Sequence, residues 1–298
     1  YFDKVVTTVV PSGESAKAFS VFEKCHGDGL RNNMNRKSLI LALGGGAVGD
    51  LAGFVAATYM RGIRFIGLPT TLLAHDSAVG GKVAINHTLG KNMVGAFHQP
   101  EAVFYDWDLL STLPEKEVRS GFGEAIKHAL IQDSTFYDYL LSNVNRLEDL
   151  QGEVLAEVIT KGISIKANIV KQDERETGVR GFLNFGHTLG HAIEANMGYG
   201  KITHGEGVVI GMIFALKLSM DRTGLSFDLK TFKSWLTQLG YSLTLPPCDH
   251  HDLLASMKKD KKTTGKTITF IVLNAVGEPT TIQLSDDEVL QYLQEYFG

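Results

Sequence analysis

The chain has 298 residues, enough for two domains, and its 44% hydrophobic and 21% charged residues are ordinary for a globular protein. Its net charge of −4 and pI near 6.2 lack the basic surplus that nucleic-acid-binding proteins normally carry, so we expect no nucleic-acid partner. The only two cysteines, Cys25 and Cys248, exclude a disulfide framework and a cysteine-ligated zinc site, and they favour a reducing, cytoplasmic setting.

The segment 39–60 is almost wholly apolar and is long enough to be considered as a membrane span. Glycines at 44–46 interrupt it, however, and Asp50 lies in its middle, where a charge would be costly in lipid. We therefore predict a buried strand at 39–43, a glycine turn and a buried helix at 48–60, and no membrane partner.

Two further apolar strands are predicted at 64–68 and 102–105, and Thr70 with Thr71 suits a helix start between them. The glycine-rich segment 79–100 has short apolar runs that indicate a loop or hairpin lining a site. Strand, helix and strand in this order predict a parallel α/β sheet.

After Pro114 the pattern becomes helical, which places a domain boundary near residue 112. The predicted domains are an α/β domain over 1–112 and a mainly α-helical domain over 113–298. Helical periodicity covers 115–131, 134–147, 153–173, 186–197, 206–223 and 228–239, and strand patterns cover 267–273 and 279–284.

The glycines at 44–46 lie between a strand and a helix, where backbone N–H groups can point toward a phosphate. The segment lacks the G-x-G-x-x-G fingerprint. A tight buried turn is therefore an equally good interpretation, in which Asp50 merely complements the helix dipole.

Two histidines, His187 and His191, are four residues apart and so share one helical face. This spacing suits two ligands of one metal. A single histidine on an apolar helix is usually a core residue, but this pair, with Asn184 one turn earlier, favours a site. His204 opens the next helical segment, where it is either a third ligand or a helix cap.

A carboxylate, Glu124, lies on an otherwise apolar helix together with Lys127 and His128. Glu124 and Lys127 at a spacing of three residues are consistent with an ordinary surface ion pair. The apolar flanks leave little polar face, however, and a buried glutamate requires a partner or a metal.

Several cations lie beside glycine-rich or motif-like segments. A solvated charge explains any one of them, but together they suggest an anionic ligand with more than one charged end. They are Arg61, Lys82, Lys91, Lys127, Lys166 and Arg180.

Taken together, these segments resemble the 3-dehydroquinate synthase family over nearly the whole chain and in the family's order. Iron-dependent alcohol and glycerol dehydrogenases share the broad architecture but not these runs. The matching runs are LALGGGAVGDLAGFVAATYMRG, PTTLLAHDSAVGGKVAINHTLGKNMVGAF, SGFGEAIKHALI, GFLNFGHTLGHAIE and HGEGVVIG.

The resemblance implies a Rossmann-like NAD-binding domain, whose first strands would precede Tyr1, and a helical domain for metal and substrate. It implies conversion of 3-deoxy-D-arabino-heptulosonate 7-phosphate to 3-dehydroquinate and phosphate, a step of the shikimate pathway to chorismate and aromatic amino acids. NAD⁺ would oxidise the ring alcohol transiently, phosphate would leave by β-elimination, NADH would restore the alcohol, and an intramolecular aldol step would close the carbocycle. It also implies a homodimer.

The resemblance further implies roles for individual residues. The ligands of Zn²⁺ or Co²⁺ would be Glu124, His187 and His204. The substrate phosphate would be bound by Lys82, Asn92, Lys127, Asn184 and His191. The substrate carboxylate and hydroxyls would face Asp76, Lys166 and Arg180, and Arg61 would reach across the dimer. The NAD contacts would be Glu14, Lys17, Gly45, Gly46, Asp50, Thr70, Thr71, Lys82, Lys91, Thr112 and Glu117.

One departure from the family pattern precedes Asp76, where LLAHD is one residue shorter than the family's run and would shift this carboxylate. Three alternatives stay open at this point. They are another NAD- and metal-dependent sugar-phosphate cyclase, a metal-dependent polyol dehydrogenase, and a binding module without activity. Lys166 and Arg180 favour a carboxylated substrate, and the retained ligands and lysines argue against the binding module.

Overall fold

The computed structural model describes residues 4–198, 200–260 and 267–298. The chain forms two compact units, of which the first ends at Leu113 and the second begins at Pro114. Across the described ranges, no helix combines the length and the hydrophobicity that a membrane crossing requires.

The first unit contains a three-stranded parallel sheet, as the strand–helix–strand order predicted. Its strand order is β1-β2-β5, with β2 paired in parallel to both neighbours. These strands are β1 (Leu39–Gly44), β2 (Arg64–Pro69) and β5 (Ala102–Val103). Helix α1 (Phe19–Arg31) precedes the sheet and was not predicted, because two glycines at 27 and 29 weaken its helical signal.

Helix α2 (Gly46–Thr58) makes the crossover from β1 to β2, and a short 3-10 turn (Tyr59–Arg61) ends it. Its side chains Leu51, Phe54 and Val55 are buried in the core of this unit. The helix begins two residues earlier than predicted. The third glycine therefore belongs to its first turn, and Gly45 is its N-cap.

The glycine-rich segment forms an antiparallel hairpin of β3 (Lys82–His87) and β4 (Gly90–Phe97), which matches the predicted loop or hairpin. A single helical turn, α3 (Ala74–Ser77), precedes it. The remaining elements of this unit are two 3-10 turns, Gly13–Lys17 and Trp107–Thr112.

The second unit is mainly helical, and all six predicted helices are present. They are α4 (Glu115–Gln132), α5 (Ser134–Asn143), α6 (Gly152–Gln172), α7 (His187–Met197), α8 (His204–Arg222) and α9 (Leu229–Gln238). Two 3-10 turns (Leu147–Asp149 and Val179–Asn184) lie between them. The two predicted strands form an antiparallel hairpin, β6 (Thr267–Ala275) with β7 (Glu278–Ser285). Helices α10 (His250–Asp260) and α11 (Asp286–Phe297) were not predicted.

Helix α8 lies at the centre of the second unit and is buried along most of its length. Two of its glycines touch backbone. A Cβ on Gly205 would lie 1.9 Å from the carbonyl oxygen of Ser120, and one on Gly211 would lie 1.9 Å from that of Gly186. Because glycine has no side chain at these two positions, α8 can approach α4 and the start of α7 unusually closely. This approach brings three predicted ligands together.

Candidate metal and cofactor sites

Each predicted metal ligand comes from a different helix of the second unit. Glu124 lies in the middle of α4 and is 1% exposed. His187 is the first residue of α7, after Gly186 in the left-handed conformation at φ 78°. His204 is the first residue of α8, whose N-terminus is fixed by a reciprocal capping box between Thr203 and Glu206.

The three side chains converge on one point. Oε1 of Glu124 lies 3.3 Å from Nε2 of His187 and 3.3 Å from Nε2 of His204. This oxygen is buried and accepts no hydrogen bond of normal geometry from any residue that the structure describes. A tetrahedral zinc ion with ligands at about 2.05 Å separates neighbouring ligand atoms by about 3.4 Å. The donor set and its spacing therefore fit a divalent metal.

Both imidazoles are held so that Nε2 faces Glu124. Nδ1 of His187 lies 3.1 Å from the carbonyl oxygen of Phe185, and Nδ1 of His204 lies 2.9 Å from Oε2 of Glu194. Since a carbonyl or carboxylate oxygen only accepts, each Nδ1 donates its proton. The Nε2 lone pair of the neutral ring is then available to a metal.

His191 lies beside this point as well. The nitrogens of His187, His191 and His204 approach one another within 4.8 Å, and the ring centroid of His191 is 5.1 Å from that of His187. Spacing alone would therefore still favour His187 and His191 as a ligand pair. The buried carboxylate, by contrast, contacts His187 and His204.

Lys127 forms an ion pair with Oε2 of Glu124, and both side chains are 1% exposed. The surface-pair interpretation of these two residues is therefore wrong. Burial alone would raise the pKa of Glu124, but the charge of Lys127 and the interactions with the His187 and His204 rings outweigh it and hold the pKa well below its usual value. Glu124 is consequently ionised at neutral pH and can act as an anionic metal ligand.

The two imidazoles differ in protonation. Burial lowers the pKa of His187 to about 4 despite the attraction of Glu124, so this ring is neutral at neutral pH. Burial also disfavours protonation of His204, but the Glu124 and Glu194 carboxylates beside its two ring nitrogens outweigh it and raise the pKa to about 9. A metal must displace this proton before Nε2 of His204 can bind it.

Metal affinity should therefore rise with pH. Below about pH 9, each pH unit should strengthen binding by up to about tenfold, because the fraction of unprotonated His204 rises tenfold. Competition with a chelator of known affinity, at about pH 6.5, 7.5 and 8.5, measures the Zn²⁺ dissociation constant. A constant that does not change over this range contradicts the protonation of His204.

Lys166 and Arg180, the residues predicted to face the substrate carboxylate and hydroxyls, are buried in the second unit, at 8% and 1% exposure. The guanidinium of Arg180 donates to the carbonyl oxygen of Glu174. Asn184 donates to Oε1 of Glu176 at 2.8 Å. Glu176 was not predicted as a partner of Asn184, because its surroundings, DERETG, resemble a solvated charged loop. Its strained backbone, with a positive φ of 58°, marks it as unusual, but only the structure shows this angle.

In the first unit, two hydroxyls face the glycine turn at the start of α2. A Cβ on Gly45 would lie 2.8 Å from the Thr71 methyl carbon, and one on Gly46 would lie 2.8 Å from Oγ of Ser77. The Thr71 and Ser77 hydroxyls are buried, and within the described residues neither has a hydrogen-bond partner. Free hydroxyls at a helix N-terminus fit the pyrophosphate of a dinucleotide. Ser77 was not predicted, because one serine before a glycine-rich run is unremarkable.

Other predicted NAD residues form a polar cluster in the same unit. The 1% exposed Lys17 donates to Oδ2 of Asp50 at 2.6 Å and to Oδ1 of Asn92. Glu14 lies 3.3 Å from Nζ of Lys91. The cluster thus joins Asn92, predicted to bind the substrate phosphate, to residues predicted to bind the cofactor.

The remaining predicted residues occupy varied positions. Thr70 donates its backbone N–H to the carbonyl oxygen of Gly44 at 3.0 Å, which places it beside the glycine turn. Lys82 and Asp50 line a cleft with the same glycines. Asp76 lies on α3, Arg61 is exposed with φ 72°, Thr112 is exposed, and Glu117 is half-buried in the first turn of α4.

Comparisons with protein families and with known proteins both identify 3-dehydroquinate synthase as the match. The family model described as 3-dehydroquinate synthase N-terminal matches residues 7–120, and the one described as 3-dehydroquinate synthase C-terminal matches residues 121–263. The 3-dehydroquinate synthase of Geobacillus thermodenitrificans is 56% identical over 293 residues, which cover 98% of this chain and 80% of the relative.

Two solved structures have the same fold. A 2-deoxy-scyllo-inosose synthase in complex with carbaglucose-6-phosphate, NAD⁺ and Co²⁺ superposes with a TM-score of 0.86 at 29% identity, covering 95% of this chain and 81% of the other. A 2-epi-5-epi-valiolone synthase from Streptomyces hygroscopicus, with NAD⁺ and Zn²⁺ bound, has a TM-score of 0.87 at 23% identity, covering 96% and 81%.

Proposed function

Since the chain belongs to the 3-dehydroquinate synthase family, we propose that Glu124, His187 and His204 hold its divalent metal. The chain is a lyase that converts 3-deoxy-D-arabino-heptulosonate 7-phosphate to 3-dehydroquinate and phosphate, with NAD and Zn²⁺ or Co²⁺ as cofactors. The observation that carries the proposal is the buried Glu124 oxygen, which lies 3.3 Å from two imidazole nitrogens without normal hydrogen bonding.

A metal bound there would supply Lewis-acid polarisation of the substrate alcohol that is oxidised. The chain's own residues orient this site. Lys127 pairs with the other oxygen of Glu124, which keeps Oε1 directed at the imidazoles. His187 and His204 each keep Nδ1 on a protein acceptor, so that Nε2 remains available.

We assign the substrate contacts in each unit separately. In the second unit, Lys166 and Arg180 bind the carboxylate and hydroxyls, and these two basic residues are both buried there. His191, Asn184 and Lys127 bind the phosphate. In the first unit, Asp76 faces the substrate hydroxyls, and Lys82 and Asn92 bind phosphate.

For NAD, the glycine turn with the Thr71 and Ser77 hydroxyls binds the pyrophosphate. The other proposed contacts are Glu14, Lys17, Gly45, Gly46, Asp50, Thr70, Lys82, Lys91, Thr112 and Glu117. We also propose a homodimer with Arg61 at its interface. Met60 and Arg61 are exposed and both have a left-handed backbone, and strained residues of this kind cluster at functional sites. Two free thiols, Cys25 and Cys248, support a cytoplasmic setting.

Turnover with the heptulosonate phosphate, NAD⁺ and Zn²⁺ tests the function. We expect one inorganic phosphate for each substrate consumed and no net NADH at steady state, because the hydride returns to the same molecule. Consumption of heptulose 7-phosphate instead would indicate another cyclase. Accumulation of NADH with a simple polyol would indicate a dehydrogenase, and either result would contradict the proposed function.

A further inference from the structure

We propose that Glu194 is a positioning residue of the metal site, which fixes the ring of His204 and strengthens its Nε2 as a donor. This inference rests on the proposed metal site. It adds a residue that acts through a ligand and does not touch the metal itself.

Glu194 lies on α7, seven residues after His187, and therefore on the same side of the helix two turns later. Its side chain is 9% exposed, and its Oε2 lies 2.9 Å from Nδ1 of His204. The other nitrogen of that ring lies 3.3 Å from Oε1 of Glu124. His204 is thus held between two carboxylates, one at each ring nitrogen.

The second imidazole is held differently. Nδ1 of His187 donates to the neutral backbone carbonyl of Phe185 at 3.1 Å, whereas that of His204 donates to a carboxylate. Hydrogen bonds to a charged partner are roughly twice as strong as neutral ones. A carboxylate behind an imidazole also raises the basicity of the ligating nitrogen. The two histidines are therefore unequal ligands, and Glu194 is the cause.

A separate residue fixes the backbone of His204. Glu206 accepts from the backbone N–H and the hydroxyl of Thr203, and it pairs with Arg119 at 3.0 Å. This arrangement fixes the start of α8, while Glu194 fixes the ring that projects from it. Glu206 is consequently a matched control, because it is a second partly buried carboxylate two residues from His204 with a different task.

The test compares Glu194→Gln, Glu194→Ala and the control Glu206→Gln in the full chain. Gln keeps an oxygen for the Nδ1 proton but loses the charge, and Ala loses both. We expect Zn²⁺ to bind about 10-fold more weakly to Glu194→Gln and about 100-fold more weakly to Glu194→Ala, the range observed for outer-shell partners. Glu206→Gln retains the capping box and should change the dissociation constant by less than about threefold.

A second readout does not depend on the stability of any variant. In the Zn²⁺-loaded parent, nitrogen-detected NMR of the histidine rings should show a proton on Nδ1 of His204 and none on Nε2. In Glu194→Ala this Nδ1 proton should exchange faster with water. A fold defect alone would lower the thermal midpoint of the metal-free protein without this selective change at one ring.

Three results would overturn the inference. The first is parent-like Zn²⁺ affinity in Glu194→Ala, and the second is an equal loss of affinity in Glu206→Gln. The third is an Nε2–H tautomer of His204 in the loaded parent. A His204→Ala variant distinguishes a wrong role for Glu194 from a wrong metal site. If it binds Zn²⁺ like the parent, the proposed site itself is wrong. If it loses Zn²⁺ while Glu194→Ala does not, only the role of Glu194 is wrong.

Discussion

Replacement of His187 by alanine should abolish metal binding and turnover, whereas replacement of His191 should leave the metal bound and impair phosphate release. His187 places Nε2 3.3 Å from the buried Glu124 oxygen, so its loss leaves one carboxylate and one imidazole. Two ligands hold zinc far more weakly than three, and the loss should exceed the roughly 10–100-fold cost of removing an outer-shell partner.

Metal content after dialysis, the Zn²⁺ dissociation constant and phosphate release are measured for both variants. His251→Ala, at an exposed position on α10, is the control for removal of an imidazole. The parent, His251→Ala and His191→Ala should each bind one metal ion. Loss of the metal from both His187→Ala and His191→Ala would instead restore the interpretation in which these two histidines are the ligand pair.

Replacement of Gly205 by alanine should damage both folding and metal binding. The added Cβ would lie 1.9 Å from the carbonyl oxygen of Ser120, so α8 must move from α4 by about 1 Å. Alanine favours the helix by about 1 kcal/mol, but overpacking against backbone costs about 3 kcal/mol or more, and the clash dominates. Because His204 precedes Gly205, the same movement separates it from Glu124 and should weaken Zn²⁺ binding by about 100-fold.

Denaturant unfolding of the metal-free protein and Zn²⁺ titration measure these two effects. Gly181→Ala is the matched control in the same unit, since a Cβ there meets nothing within 4 Å and its φ is not left-handed. The control should change the free energy of unfolding by less than about 0.5 kcal/mol. A Gly205→Ala variant with parent-like unfolding and Zn²⁺ affinity would show that α4 and α8 are not fixed by this contact.

The sequence predicted those elements whose apolar residues follow a clear period. The parallel strands at 39–43 and 64–68 and all six helices from 115 to 239 are present, with ends that differ by a few residues. Helix α11 was not predicted although Ser285 and Glu288 form a capping box that is visible in the sequence. Helix α10 was not predicted because its hydrophobic residues are too few for a clear helical pattern.

The site was predictable only in part. Glu124 was singled out as a buried carboxylate that required a partner, but spacing paired His187 with His191, and only the family resemblance replaced His191 with His204. Sequence spacing cannot reveal that α4, α7 and α8 meet, because that contact depends on Gly205 and Gly211 touching backbone of other elements. For the same reason Glu194, which acts across two helices, could not be found from the sequence.

The most direct test is an anomalous-difference map from crystals of the Zn²⁺-loaded protein. We predict one peak within about 2.0–2.2 Å of Oε1 of Glu124 and of Nε2 of His187 and His204, with His191 outside bonding distance. A peak bonded to His191 in place of His204, or one away from Glu124, would contradict the proposed metal site.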